Sequence, residues 1–172
     1  MAARIRVGSG VNGDARGQPG RRQVSVITRD AWEAACSELG VAHLSWTTRR
    51  ANLLVDGINL RGKIGYDLRV GDAVLTISGE TRPCEVMERA YPGLKAALMP
   101  EWRGGVVCRV TRSGEVAVGC EVVLSRNVVR QLTYISSNHA RRFLKQGRAR
   151  LAGWARKLGW KRPGQPSYSE HQ

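Results

Sequence analysis

Cys84, in the run Thr81-Arg82-Pro83-Cys84-Glu85, is the residue of this chain best suited to carry chemistry. Pro83 fixes the backbone just ahead of it and withholds a donor from any strand ladder. Arg82 and Arg89 bring positive charge within a few residues, the setting in which a cysteine works as a thiolate. A thiolate attacks sulfur and binds soft metals. The other three cysteines sit in apolar company. Cys36 falls on a predicted helix with Ala34, Ala35 and Leu39. Cys108 follows Val106-Val107, and Cys120 precedes Glu121-Val122-Val123. These read as small buried hydrophobes.

The elements that must hold Cys84 are mostly strands. Residues 7–20 are a glycine-rich loop, and Gly8-Ser9-Gly10-Val11-Asn12-Gly13 matches G-x-G-x-x-G by letter. Asp14, Gly17, Pro19 and Gly20 follow, where a dinucleotide fingerprint would open a helix, so a Rossmann site is excluded. The loop backbone can still approach an anion, with Arg16, Arg21 and Arg22 nearby. Val24–Ile27 reads as a strand. Thr28 or Asp30 can cap the helix that follows, Glu33 completes a capping box with Asp30, and Gly40 ends it. Ala31, Ala34, Ala35 and Leu39 are its expected buried face.

From Asn52 to Leu124 the pattern is β. Leu53–Val55 and Ile58–Leu60 flank Asp56-Gly57, a hairpin turn pair. Val70-Gly71-Asp72 leads into Ala73–Ile77. Val106–Val110 and Val116–Val118 flank Arg112-Ser113-Gly114 as a second expected hairpin, and Val122–Leu124 closes the series. Leu94–Met99 has room for one or two helical turns. Short strands with glycine turns point to a small barrel or sandwich.

The chain has 172 residues, enough for one domain with a real core. No apolar run approaches membrane-spanning length. The start, Met1-Ala2-Ala3-Arg4-Ile5-Arg6, shows no apolar signal core, and the expected location is the cytoplasm. Free thiols are then expected rather than disulfides. His43, His139 and His171 are too scattered for a histidine-rich zinc site. The net charge of +14 is uneven. Residues 126–172 hold 11 Lys+Arg and one acid, Glu170, while residues 1–125 hold 17 Lys+Arg and 13 acids. A nucleic-acid role would therefore belong to the tail. Residues 137–162 follow a helical pattern, with Leu144, Leu151, Trp154 and Leu158 on one stripe and basic residues around it. An amphipathic helix packed on the barrel is the simplest account. RNA, an acidic membrane surface or a partner are the alternatives.

Seven stretches, in order, resemble the MOSC domain, the module at the C-terminus of molybdenum-cofactor sulfurases. They are Gly10–Asp14, Arg22–Ile27, Arg49–Val55, Arg69–Leu75, Arg82-Pro83-Cys84, Trp102–Gly105 and Gly114–Val116. The resemblance covers about residues 8–124 and implies a mainly β, barrel-like fold with a few short helices and an appended basic C-terminal helix. The expected organisation is a barrel domain over 1–125, a basic helical extension over 126–162 and a disordered tail over 163–172. The family has a strand before the glycine loop, for which few residues stand here, so that strand is expected to be missing or cut short. Its last strand begins with glycine–aspartate, where this chain has Gly119-Cys120.

The resemblance also implies sulfur transfer or molybdenum-cofactor (molybdopterin) binding. Cys84 would then carry a persulfide or ligate molybdenum. Arg50, Asn52, Arg82, Arg103 and Asp14 would line the cofactor pocket, and guanidinium groups suit a pterin phosphate. Three functions follow. The first is a sulfur carrier or cofactor-binding module, fed by a separate pyridoxal-phosphate-dependent cysteine desulfurase or serving a molybdoenzyme. The second is a molybdenum-dependent reductase of N-hydroxylated compounds, needing an electron-donor protein. The third is a nucleic-acid-binding barrel. Against the third, the strands lack base-stacking aromatic clusters.

Overall fold

The computed structural model describes residues 2–14, 17 and 19–127. The expected basic helix over 137–162 and the tail over 163–172 lie outside the described residues.

Burial alternates along the strands, as the two-residue period of a pleat requires. Within β6 (Ala73–Glu80), Ala73, Leu75 and Ile77 are buried while Val74, Thr76 and Ser78 between them are half-exposed. In β5 (Asp67–Val70), Leu68 and Val70 point inward. These side chains meet Val24 and Val26 of β3 (Val24–Thr28) and Val106, Cys108 and Val110 of β7 (Val106–Arg112) in the main core. The six-stranded sheet runs β4-β3-β7-β6-β5-β9, with β4 at Leu53–Val55 and β9 at Val122–Ser125. Two register shifts between β6 and β7, at Val74/Leu75 and Ile77/Gly79, supply the local twist that curls a sheet.

Three hydrophobic patterns pair otherwise than their spacing suggests. Leu53–Val55 and Ile58–Leu60 do not form a hairpin. β4 instead pairs parallel with β3, Val26 opposite Leu53, and residues 58–60 form no strand. A parallel pair needs a crossover, and α1 (Arg29–Glu38) provides it. β7 and β8 (Gly114–Ala117) do not pair either. β8 joins a second, three-stranded sheet with β1 (Ala2–Arg6) and β2 (Gly10–Val11). A Cβ on Gly114 would lie 2.4 Å from both Ala73 N and Asp72 C. The bare glycine lets the chain cross the β5–β6 turn closely enough to leave the sheet. Finally, the five residues before the glycine loop do form a strand. β1 pairs antiparallel with β8 over Ala2–Ile5, and Ile5 is fully buried.

A second core lies beneath the helices. Ile27 of β3 meets Trp32, Ala35 and Cys36 of α1, Met87 of α2 (Glu85–Ala90), and Leu94 and Ala97 of α3 (Leu94–Ala97). Thr28 caps α1, its Oγ1 accepting from Ala31 N at 3.3 Å. The buried face of α1 is centred on Trp32, Ala35 and Cys36 rather than on Ala31 and Ala34. Trp32 turns it, because its indole N–H reaches the Leu44 carbonyl at 3.1 Å. No described helix is long and apolar enough to cross a membrane.

Candidate functional site

Of the four cysteines, Cys36 and Cys108 are buried, Cys120 is half-buried and Cys84 is exposed. Burial pushes the Cys108 thiol up to about 12. Burial, and then the Glu33 carboxylate, raise Cys36 as well. Cys84 stands just before α2, in extended backbone, and its side chain makes no capping bond. Its carbonyl accepts from Met87 N at 2.8 Å, and Met87 anchors α2 in the second core. The thiol is therefore held by its backbone while its sulfur faces solvent.

Lys95 of α3 pairs with Glu85, the residue after Cys84. The Glu85 hydrogen bond and charge raise the Lys95 amine, with Glu88 and Cys84 adding to the same field. The Lys95 hydrogen bond and charge hold the Glu85 carboxyl low, with Arg89 contributing less. The sequence pointed to Arg82 and Arg89 as the nearby cations. Lys95, which neither proximity in sequence nor a motif marks, joins them through packing of α2 on α3.

The segment leading to Cys84 is clamped. Thr81 N donates to the Gly105 carbonyl at 2.8 Å. A Cβ on Gly104 would stand 2.3 Å from the Thr81 carbonyl oxygen and 3.2 Å from Pro83 Cδ, so the two segments touch backbone to backbone. The Gly104 carbonyl in turn accepts from Arg49 Nε at 3.0 Å and Nη2 at 2.5 Å. Arg49 is only 6% exposed. It ends the 3₁₀ turn Trp46–Arg49, which packs against α2.

Next to that turn, Arg50 adopts a left-handed conformation, φ 56° and ψ 30°. Asn52 then ties three segments together. Its Oδ1 accepts from Ser25 N at 2.9 Å and Ser25 Oγ at 2.8 Å, and its Nδ2 donates to Asp14 Oδ2 at 2.6 Å. The side chain of Asn52 thus fastens the glycine loop to β3.

Asp14, Arg50 and Asn52 converge on a cleft of about 240 Å³, which Arg22, Arg49 and Thr81 also line. Three arginines and one aspartate line it. Thr81 is 7% exposed, and its Oγ1 is buried with no hydrogen-bond partner among the described residues. A buried hydroxyl left unpaired costs about 1–3 kcal/mol. The arginines of the cleft would supply charge for a phosphate-bearing ligand. The volume suits the phosphate end of a pterin cofactor, the remainder lying outside the cleft.

Other expected pocket residues lie elsewhere. Arg103 bonds Glu38 of α1 and the Ala97 carbonyl, and lines a different, larger cleft. Arg82 is exposed and lines neither cleft. Cys84 lines neither, but follows Thr81 by three residues on the clamped segment. Arg49 and Thr81 escaped the sequence reading as pocket residues, although each adjoins a residue that was singled out. Nothing in the pair Arg49-Arg50 says which guanidinium turns inward. Among the described residues no three His, Cys, Asp or Glu side chains gather as a metal cage.

The fold recurs in solved structures. YuaD from Bacillus subtilis is 25% identical, with 73% of this chain and 86% of that chain covered at a TM-score of 0.59. YiiM from Escherichia coli is 18% identical, covering 74% and 64% at a TM-score of 0.58. YiiM from Geobacillus stearothermophilus is 18% identical, covering 61% and 55% at 0.54. This chain thus spans less than two thirds of either YiiM. No curated protein matches it. The family model of the MOSC domain matches residues 9–123, a span that includes the curled sheet, the arginine-lined cleft and Cys84, and the chain belongs to the MOSC domain family.

Proposed function

We propose that this MOSC protein is a sulfur-carrier or molybdenum-cofactor-binding module in which Cys84 is the working thiol. One observation carries the reading: of the four cysteines only Cys84 is exposed, and it sits on a clamped segment whose Thr81 lines an arginine-rich cleft. In sulfur transfer, the Cys84 thiolate attacks the terminal sulfur of a donor persulfide. A new sulfur–sulfur bond forms on Cys84, the donor's sulfur–sulfur bond breaks, and the donor cysteine leaves as a thiolate. No net oxidation occurs, and no cofactor of this chain is consumed. A cysteine desulfurase with its own pyridoxal phosphate suits the donor role.

The residues present fit the phosphate of the molybdenum cofactor. Arg22 and Arg50 would pair with its charge. Arg49, already spent on Gly104, would keep the wall in place. Cys84 offers the soft ligand such a metal prefers. When bound, the cofactor supplies a redox-active metal centre. Reduction of N-hydroxylated compounds would further require an electron-donor protein.

The test incubates the full chain with a cysteine desulfurase and cysteine, and reads persulfide by mass spectrometry. Persulfide on Cys84, absent in Cys84→Ala, supports the carrier. Stoichiometric molybdenum in protein from a molybdate-fed host, lost in Arg50→Ala, supports cofactor binding. Wild-type sulfur transfer and molybdenum content in Cys84→Ala would overturn both.

A further inference from the structure

The larger cleft, of about 590 Å³, opens where β3 and β4 end. The carboxyl ends of parallel strands are where the following loops part and leave a crevice. Its size falls in the range that takes a whole small molecule. It shares no residue with the smaller, arginine-lined cleft.

Its charges pair off, with one exception. Arg61 Nη1 bonds Glu101 Oε1 at 2.9 Å. Arg103 is paired with Glu38. At the edge of the cleft Arg29 and Asp56 pair at 2.9 Å. Asp30 lines the cleft, is exposed, and among the described residues has no hydrogen bond or ion pair. Asp30 is thus the one charged side chain of the lining without a pair, although Asp30 and Glu101 together balance Arg61 and Arg103. Beside it, Glu101 and Trp102 both take left-handed backbone, at φ 51° and φ 64°. Each such residue costs about 1–2 kcal/mol. Trp102 belongs to the wall of the same cleft as this unpaired carboxylate, and also packs on the main core. Ile58 and Leu60 add apolar lining.

We propose that this cleft binds a small organic cation of the alkylguanidinium class. Asp30 accepts two parallel N–H bonds, the Trp102 indole packs against the planar cation, and Ile58 and Leu60 hold the alkyl chain. A guanidinium suits this set better than an ammonium, because it is planar, forks onto a carboxylate and stacks on aromatic rings. The inference is independent of the role of Cys84.

The experiment titrates butylguanidinium into the full chain by calorimetry, with butylurea as the neutral isostere. Binding that weakens about tenfold or more for butylurea and for Asp30→Asn, and that Asp30→Glu restores in part, is the expected result. An arm with acetyl-Gly-Arg-Gly-amide separates a free cation from an arginine on a partner chain. Tighter binding of the peptide assigns the site to a protein side chain, and tighter binding of butylguanidinium to a free ligand. Equal affinity of wild type and Asp30→Asn, equal affinity for butylurea, or no heat from either cation up to about 10 mM would overturn the proposal. Persulfide formation on Cys84 stays at the wild-type level in Asp30→Asn, so failure here is separable from failure at the thiol.

Discussion

Arg49 places two N–H groups on one backbone oxygen, that of Gly104, while Gly104 lies in backbone contact with Thr81. The path from a buried guanidinium to the exposed Cys84 therefore runs through a glycine that no other residue can replace without moving the Thr81 carbonyl. Gly104→Ala puts a methyl 2.3 Å from that oxygen. The expected cost is about 2–3 kcal/mol, since backbone cannot rotate away as a side chain can. Gly57→Ala, at φ 68° with nothing within 4 Å, costs about 1 kcal/mol from conformation alone. Urea denaturation compares the two. Equal effects would show that the Thr81 segment yields freely.

Thr81→Val keeps the shape of the side chain and removes the unpaired hydroxyl. The folded state gains about 1 kcal/mol, or roughly 3 °C in melting temperature. Binding of inorganic phosphate, followed by NMR titration, stays near the wild-type level, because the hydroxyl is closed off from the cleft. A drop in stability would mean that Thr81 Oγ1 is satisfied in solution.

Arg50 combines a cation with left-handed backbone. Arg50→Gly relieves the conformation and leaves stability unchanged or up to about 1 kcal/mol higher. Arg50→Ala keeps the strain and gains nothing. Both lose phosphate affinity to a similar degree. Wild-type affinity in both variants would remove Arg50 from the binding site.

Cys108 makes stability fall in alkali. Its thiol stands at about 12 when folded, against 9.0 in the open chain. Below the lower value both states keep the proton and the full stability is present. Between the two, only the unfolded chain can release it, so stability declines as pH rises and is lost past the upper value. The limit is about 4 kcal/mol. Cys108→Ala costs about 1–2 kcal/mol at neutral pH through the space left behind. The gap between the two melting curves narrows from about pH 9 upward. A gap independent of pH would contradict deep burial of the thiol.

The periods of burial, the turn glycines and the cap at Thr28 are short-range features, and they were legible. So was the contrast among the cysteines, because Cys108 shares its strand face with Val106 and Val110 while Arg109 takes the other. The hairpin expected at Asp56-Gly57 was not borne out. A turn pair permits a hairpin, but β3 offered β4 a parallel edge, and α1 made the crossover. The break after Arg112 misled in the same way, since Gly114 serves a close crossing rather than a turn back.

The candidate site divides along the same line. Residue type and order were enough to single out Cys84 and to suggest the MOSC family, and that resemblance grouped Asp14, Arg50 and Asn52, though together with Arg82 and Arg103. Which arginine is buried, whether Thr81 has a partner, and that Arg103 serves Glu38 rather than the cleft depended on contacts between segments far apart in the chain. Local sequence encodes dihedral preference and the period of burial. It does not encode which distant backbone oxygen a guanidinium will find, because that is fixed only when the two cores close around it.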